Sequence, residues 1–310
     1  MKKISITIPC YRSEKTIEKV VEEIRQVLQQ KSDEYTYEII CVNDCSPDNV
    51  WEVIRGLAAS DAHVKAVNLG INRGKHAALM AAFSHVTGDL VVGVDDDGES
   101  PVTEIWNLIA PLESGEYDVA IAKYPSRPVS KLKEFESNVN DYITSILYNK
   151  PRGLKFSNFI ARKRFVCDYV LKYGGPYPSL EGATLVITRK IAQVEMDARS
   201  RLAGVSGFTF SKGLALMLNG CTTYSMTLMR IGWFLSGLLF VLSVVAFVCG
   251  IVLGCDFMYA LILFLFAVSL AYTSLLGDFL GRMHLTNNGV PQFVEVETVN
   301  CDEDASEAID

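Results

Sequence analysis

Three adjacent carboxylates, Asp95-Asp96-Asp97, followed by Glu99, are the densest chemistry in the sequence. Side by side they repel one another and favour folding only with a cation among them. Magnesium and manganese take such hard oxygen ligands and keep part of their shell for substrate phosphates. A solvated acidic turn is the ordinary alternative. Context weighs against it. Asp89 to Val94 reads as a buried strand, Pro101 opens a helix, and open α/β sheets bind ligands beyond their strand ends.

The segments around this stretch repeat a strand–helix pattern. Ile4 to Pro9 is a first strand, and Ser13 caps a helix with Ile17, Val20, Val21, Ile24 and Leu28 at helical spacing. Tyr37 to Val42 is a second strand, ending in the turn-rich Asn43-Asp44-Cys45-Ser46-Pro47-Asp48 before a helix from Val50 to Ala59. His63 to Asn68 is a third, and Asn72-Arg73-Gly74-Lys75 leads into a helix from His76 to His85. This alternation predicts a doubly wound, mostly parallel sheet, with Tyr11, Asp44, Lys75 and Asp95 to Asp97 on one edge. Tyr117 to Ala122 is a fifth strand. The basic, proline-containing Lys123 to Lys133 reads equally as a surface loop or a phosphate-facing lid. Phe156 to Ile160 and Gly182 to Thr188 are predicted as further strands. Gly70 to His76 lacks the spacing and the Ser/Thr of a Walker loop, and no Gly-x-Gly-x-x-Gly follows the first strand.

Hydrophobic residues make up 49% of the 310, and the excess lies late in the chain. Ile231 to Cys255 is a run of 25 residues without a charge and Phe257 to Gly277 a run of 21, separated only by Asp256. Each can cross a bilayer core of ~30 Å, which predicts a transmembrane hairpin with spans at 231–254 and 257–278. Arg230 and Arg282 flank it, and residues 4–9 are too short and polar for a signal peptide, so the bulk before the hairpin and both termini are expected in the cytoplasm. His284 to Thr286 and Gln292 to Val299 around Asn287-Asn288-Gly289 read as a β-hairpin. The expected organisation is a domain over 1–208, an interfacial amphipathic helix and linker over 209–229, the membrane hairpin over 230–281, the β-hairpin over 282–300 and an acidic, disordered tail over 301–310. Seven acidic residues and no Lys or Arg follow Pro291; without them, acids and bases balance at 29 each. Nothing in that balance points to nucleic acid. The eight cysteines form no CxxC pair or zinc spacing and read as reduced structural thiols.

Ile8-Pro9-Cys10-Tyr11, Val42-Asn43-Asp44-Cys45-Ser46-Pro47-Asp48, Asn72-Arg73-Gly74-Lys75 and Asp95-Asp96-Asp97, in this order, resemble the inverting family-2 glycosyltransferases of GT-A fold. The C-terminal spans, with Ser206-Gly207-Phe208-Thr209-Phe210-Ser211-Lys212 before them, are similar to the branch that transfers sugars to polyprenyl phosphates. The resemblance runs to about Val299. It implies a cytoplasmic-membrane hexosyltransferase using a UDP-sugar in preference to a GDP-sugar, with Mg2+ or Mn2+, an undecaprenyl-phosphate acceptor and self-association through the membrane hairpin.

Carried over by position, Pro9, Tyr11 and Glu14 line the base pocket and Asp44 accepts from the base. Asp95 and Asp97 hold the cation against the diphosphate, with Glu99 where the family often has a metal-binding glutamine. Strand alternation turns Asp96 away. Lys75 joins the nucleotide site, Lys133 and Ser137 match residues facing the acceptor phosphate, and Arg201 and Lys212 match a basic loop near the diphosphate. This sequence departs from the pattern at Asn43, where an acid is frequent, at Gly98, usually apolar, and at Tyr124, often arginine.

The chemistry points the same way. A departing nucleoside diphosphate needs charge neutralisation, which a cation supplies as Lewis acid. A phosphate monoester acceptor, with a second pKa of about 6, is largely ionised near neutral pH and needs no strong base. A hydroxyl acceptor does need one, and Glu181 is the isolated candidate. Two other classes stay open at this point: a membrane transferase acting on a hydroxyl, and an inactive nucleotide-binding membrane module.

Overall fold

The structure is a computed structural model that describes residues 1–125, 145, 150–151, 153–173, 175, 179–197, 199, 202, 238–239, 241–242, 244–245, 248 and 258–301. Strand β1 (Lys2–Cys10) is fully buried from Ile4 onward and forms the centre of the sheet. Helix α1 (Ile17–Gln29) follows and buries the stripe Ile17, Val20, Val21, Ile24, Val27 and Leu28, the period expected of a helix lying on a sheet. Then come β2 (Tyr35–Asn43), α2 (Val50–Ser60), β3 (Val64–Leu69), α3 (Lys75–Ser84) and β4 (Leu90–Gly93). A 3-10 turn at Val102–Glu104 leads to α4 (Ile105–Glu113) and β5 (Val119–Lys123). After residue 150 come β6 (Ile160–Lys163), α5 (Arg164–Leu171), α6 (Leu180–Ile187), β7 (Ile191–Glu195), α7 (Met258–Asn287) and β8 (Glu295–Val299).

The strand order is β7-β5-β6-β4-β1-β2-β3-β8. β1 pairs in parallel with β2 and β4, β2 with β3, and β5 with β7, while β6 runs antiparallel between β4 and β5 and β8 antiparallel to β3. Alternation along β2 splits the core between the faces. Ile39 and Cys41 pack with α1, α2 and α4, and Ile40 and Val42 with α3, α5 and α6. The expected doubly wound, mostly parallel sheet is what forms. From β1 the chain winds outward through β2 and β3 and then crosses to β4 on β1's other side. The crevice this reversal opens lies between the carboxyl ends of β1 and β4, at Tyr11 and Asp95.

Three expectations are corrected. Gly182 to Thr188 is not a strand: residues 180–187 are helix α6, started by Ser179, whose Oγ accepts from the Gly182 N–H. The strand expected at Phe156 to Ile160 lies later, at Ile160–Lys163. The C-terminal β-hairpin does not form either. His284 to Thr286 belong to α7, and Asn288-Gly289 end that helix, with Gly289 at φ +64° and its N–H donating to Thr286 O at 3.1 Å. Asparagine and glycine tolerate the left-handed region, so the same dipeptide serves a hairpin or a helix C-terminus. The remaining segment, β8, adds alone to β3.

Helix α7 has 30 residues, about 45 Å at 1.5 Å per residue. It is the one helix among the described residues long and apolar enough to cross a membrane, over Phe264–Asn287. Ile262, Phe264, Phe266 and Leu270 are exposed along it, a surface that lipid would cover. The first predicted span, the interfacial helix and the acidic tail fall outside the described residues, apart from isolated positions in the span and Cys301. β7 runs parallel to β5 and so ends at the carboxyl edge of the sheet. β8 begins at the same edge, where Glu295 pairs with Leu69. The chain thus leaves the sheet and rejoins it on the side that bears Asp95.

Candidate active site

Two loops at the switch point are laced together before any ligand is considered. Arg12, at φ +58°, donates its N–H to Ser46 Oγ at 2.8 Å, and Cys45 sits at φ +47°. Left-handed backbone costs roughly 1–2 kcal/mol per non-glycine residue, strain typical of functional turns. Glu14 donates its N–H to Asp48 at 3.0 Å and accepts from the Asn49 N–H at 3.0 Å. Pro9 is buried at the end of β1 and Tyr11 is 45% exposed beside it. Pro9 and Tyr11 thus stand at the end of β1, and the Glu14 carboxylate braces the two loops.

Asp44 is buried and accepts from the backbone N–H groups of Arg73 at 3.0 Å and Gly74 at 2.9 Å, while its carbonyl accepts from Asn72 Nδ2. Burial pushes its pKa up against those two hydrogen bonds. The side chain expected to meet the base thus also fixes the Asn72-Arg73-Gly74-Lys75 turn. Asn43 donates to Asn68 Oδ1 at 2.8 Å and accepts from the Ser46 N–H at 3.0 Å. The amide at position 43 thus both donates and accepts, tying β2 to β3 and to the Ser46 turn.

The acidic stretch turns each carboxylate differently. Asp95 is paired with Lys75 at the start of α3. Asp96 is half-buried and turned back to β1, accepting from the Tyr11 N–H at 2.9 Å. Burial, assisted by Asp95 and Asp97, pushes its pKa up to about 6. Asp97 Oδ1 accepts from the Glu99 N–H at 3.0 Å. Among the described residues no three potential ligands already converge as a cation site. The donor set nonetheless fits a hard divalent cation, since Asp95 and Asp97 are carboxylates on either side of the inward-turned Asp96. Lys75 now provides Asp95 with its positive charge, and an incoming cation would share or displace it.

Gly98 lies at φ +76°, and a Cβ there would stand 2.6 Å from Leu202 Cδ1. The Leu202 N–H donates to Asp97 O at 3.0 Å. The chain next to Arg201 is therefore laid directly on the acidic turn. Arg201 itself, with Lys133, Ser137 and Lys212, lies outside the described residues.

Sequence reasoning passed over the part played by three residues. Burial first, then Asp95, Glu99 and Glu104, push the Tyr124 phenol up to about 12, which places its ring in the field of the acidic turn. Leu202 covers Gly98. Arg162, on β6, is buried with its guanidinium 5.6 Å from the Phe83 ring centre. Only the glycine at position 98 hinted at the second of these. At the start of α3, His76 Nδ1 accepts from the Leu180 N–H at 3.2 Å. Burial, then Lys75 and Arg162, lower the His76 pKa to about 4, so the ring is neutral at pH 7. Glu181 follows at the start of α6. The described cysteines are all free thiols.

Known proteins resemble this chain in sequence and in fold. The chain is 25% identical over 305 residues to the undecaprenyl-phosphate 4-deoxy-4-formamido-L-arabinose transferase of Salmonella choleraesuis (strain SC-B67), covering 94% of this chain and 92% of that one. It is 28% identical over 306 residues to the enzyme of the same name from Proteus mirabilis (strain HI4320), with the same coverage. Among solved structures, glucosyl-3-phosphoglycerate synthase from Mycobacterium tuberculosis with phosphoglyceric acid superposes with a TM-score of 0.55 at 20% identity, covering 72% of this chain and 80% of that one. The same enzyme with Mn2+, uridine diphosphate and phosphoglyceric acid gives 0.54, over 72% and 77%. These two likenesses carry the fold. The family model described as "Glycosyl transferase family 2" matches residues 5–169, from the first strand through the acidic turn to α5. The chain belongs to glycosyl transferase family 2, and is a glycosyltransferase.

Proposed function

We propose that this enzyme transfers a sugar, with inversion, from a nucleoside-diphosphate sugar to a polyprenyl phosphate at a membrane face. The observation that carries this reading is the likeness to undecaprenyl-phosphate transferases over 94% of the chain, a span that extends past the family-2 domain and through α7. The donor is placed across the switch point, its base near Pro9, Tyr11, Glu14 and Asp44 and its diphosphate over Asp95 and Asp97. A UDP-sugar is preferred to a GDP-sugar.

A divalent cation, Mn2+ or Mg2+, held by Asp95 and Asp97 with Glu99 beside them, would neutralise the leaving diphosphate. Before it binds, Lys75 forms an ion pair with Asp95. The turn is held from below by Asp96 on the Tyr11 N–H and from above by Leu202 on Asp97 O. Lys133, Ser137, Arg201 and Lys212 are assigned to the acceptor and diphosphate phosphates. Two membrane spans, cytoplasmic termini and self-association complete the proposal.

The test is transfer by the full-length protein in detergent, with manganese, undecaprenyl phosphate and a panel of UDP- and GDP-sugars. The expected product is a glycolipid cleaved by mild acid. Binding of a nucleotide sugar without any such product would sink the reading.

A second reading rests on Glu181. Its side chain is exposed at the start of α6, its carboxylate has no hydrogen bond or ion pair among the described residues, and packing of the surrounding protein raises its pKa against the pull of Lys150, Arg162 and Lys75. Such a group suits a general base for a hydroxyl acceptor. Glu181→Gln separates the two, abolishing transfer under this reading and leaving it nearly intact under the first.

A further inference from the structure

Arg162 is a buried cation with no counter-ion in contact among the described residues. It stands on β6 opposite Val91 of β4 and Val119 of β5, and is 6% exposed. Among the described residues its guanidinium has no hydrogen bond and no carboxylate oxygen within 4.0 Å. Its one direct partner among the described residues is the face of Phe83. A ring face offsets only a small part of the cost of burying an ion, which runs to several kcal/mol. The other charges buried in this sheet are provided for: Glu38 lies between Lys3 and Lys65, and Asp44 accepts two backbone N–H groups.

The direction of the side chain narrows what it awaits. Although Arg162 is opposite Val91, its Nη1 lies 3.9 Å from where a Cβ would stand on Gly93. The side chain therefore runs two residues along β4, about 6–7 Å, toward the end that carries Asp95. Gly93, with no side chain, leaves that path open. Nearby polar groups supply no negative charge in contact with it. His76 is neutral, and burial pushes the Cys167 thiol up to about 12, so it stays protonated. Glu181 acts on Arg162 only at a distance.

The strand order then chooses the anion. Along β2-β1-β4-β6, the base-facing loops belong to the first two strands and the diphosphate-facing turn to the third. β6 lies on the far side of that turn. Inversion requires the acceptor to attack from the side opposite the leaving diphosphate. We propose that Arg162 is a phosphate-binding residue of the acceptor subsite, its guanidinium receiving an oxyanion of the acceptor's phosphate monoester below the carboxyl end of β4. This rests on the polyprenyl-phosphate reading above.

Steady-state kinetics of the full-length protein in detergent, varying undecaprenyl phosphate and nucleotide sugar separately, test it. Arg162→Met should raise the acceptor KM at least tenfold and leave the donor KM within twofold. Its Tm should hold or rise, because a lone buried charge is gone. Arg162→Lys should recover part of the acceptor affinity. An unchanged acceptor KM overturns the proposal, and so does an equal rise in both KM values, which would assign Arg162 to the donor diphosphate. If Arg162→Met does not fold, Arg162→Lys decides alone: an acceptor KM equal to wild type overturns the proposal, and a selective rise supports it. Wild-type protein that makes no polyprenyl-linked product is a different result, the failure of the functional reading. In that case farnesyl phosphate and farnesol are compared by thermal shift. Stabilisation of wild type by the phosphate alone, lost in Arg162→Met and weakened in Arg162→Lys, keeps the phosphate site; its absence in wild type, or its full retention in both variants, removes it.

Discussion

Replacing His85 should loosen the C-terminal strand while leaving the rest of the sheet intact. His85 follows α3, is 6% exposed, and brings Nε2 within 3.0 Å of both carboxylate oxygens of Glu295 on β8. Lys65 Nζ holds its backbone carbonyl at 3.2 Å. Burial alone would lower the His85 pKa, but neighbouring Cys301 and Glu295 outweigh it and raise the value from 6.5 to about 9. The folded state therefore holds this proton more tightly than the unfolded one. The resulting stabilisation is complete below pH 6.5 and is lost as pH climbs through 9. At about 1.4 kcal/mol per pKa unit the shift is at most roughly 3 kcal/mol, and solvent screening of the part-exposed Glu295 reduces this to about 1.5 kcal/mol. Hydrogen exchange on the full-length protein at pH 6.5 measures it. In His85→Gln the amides of residues 295–299 should lose roughly tenfold or more of their protection, at 1.4 kcal/mol per factor of ten, with β1 and β2 unchanged. Between pH 7 and 10, after correction for intrinsic exchange, protection of β8 should fall in wild type and stay level in the variant. Equal β8 protection in both proteins at pH 6.5 would refute the reasoning.

Three further outcomes are expected. Gly98→Ala should cost about 1–2 kcal/mol from the left-handed backbone and raise the donor KM by displacing Leu202; Gly98→Ala with Leu202→Ala should recover the KM but not all of the Tm. Chelation should abolish transfer until Mn2+ or Mg2+ is restored, and Asp97→Asn should lower kcat/KM by roughly a hundredfold without lowering Tm; retained activity in EDTA would count against a cation at this turn. Glu38 is buried, which alone would raise its pKa, yet Lys3, Ser5, the Thr87 N–H and Lys65 bring it from 4.5 down to about 2. Its contribution, roughly 3 kcal/mol at most, is present above pH 4.5 and lost as pH falls toward 2, so Tm should drop with acid more steeply in wild type than in Glu38→Gln.

What the sequence disclosed follows the range of the interactions involved. The first four strands and three helices were legible because each is set by its own apolar period and closed by its own turn residues. Their shared edge followed from alternation alone, and with it the meeting of Tyr11, Asp44, Lys75 and Asp95. The inward turn of Asp96 was legible for the same reason. Gly182 to Thr188 was not, because a short apolar run fits a buried strand or a helix equally well; only Ser179, as N-cap, distinguished them. Asn287-Asn288-Gly289 misled because its backbone preference suits two kinds of turn. The placement of β6 between β4 and β5, the pairing of β8 with β3 and the burial of Arg162 depend on partners far away in sequence. No local pattern records those. Leu202 on Gly98 is the intermediate case, in which one unusual glycine announces a close approach but not the residue that makes it.

The entry and exit of the chain on one edge of the sheet bear on how the enzyme would search for its acceptor. Residues 288–294 connect α7 to β8, a seven-residue link that reaches at most about 25 Å when fully extended. If α7 lies in the bilayer, the start of β8 is held within that distance of the headgroups, with the crevice three strands away along the same edge of the sheet. Enzyme and lipid acceptor then meet by diffusion in a plane, at an effective concentration fixed by the tether. Turnover would follow the mole fraction of acceptor in the membrane, and dilution with inert lipid would slow it even when the amount of acceptor per volume of buffer is unchanged.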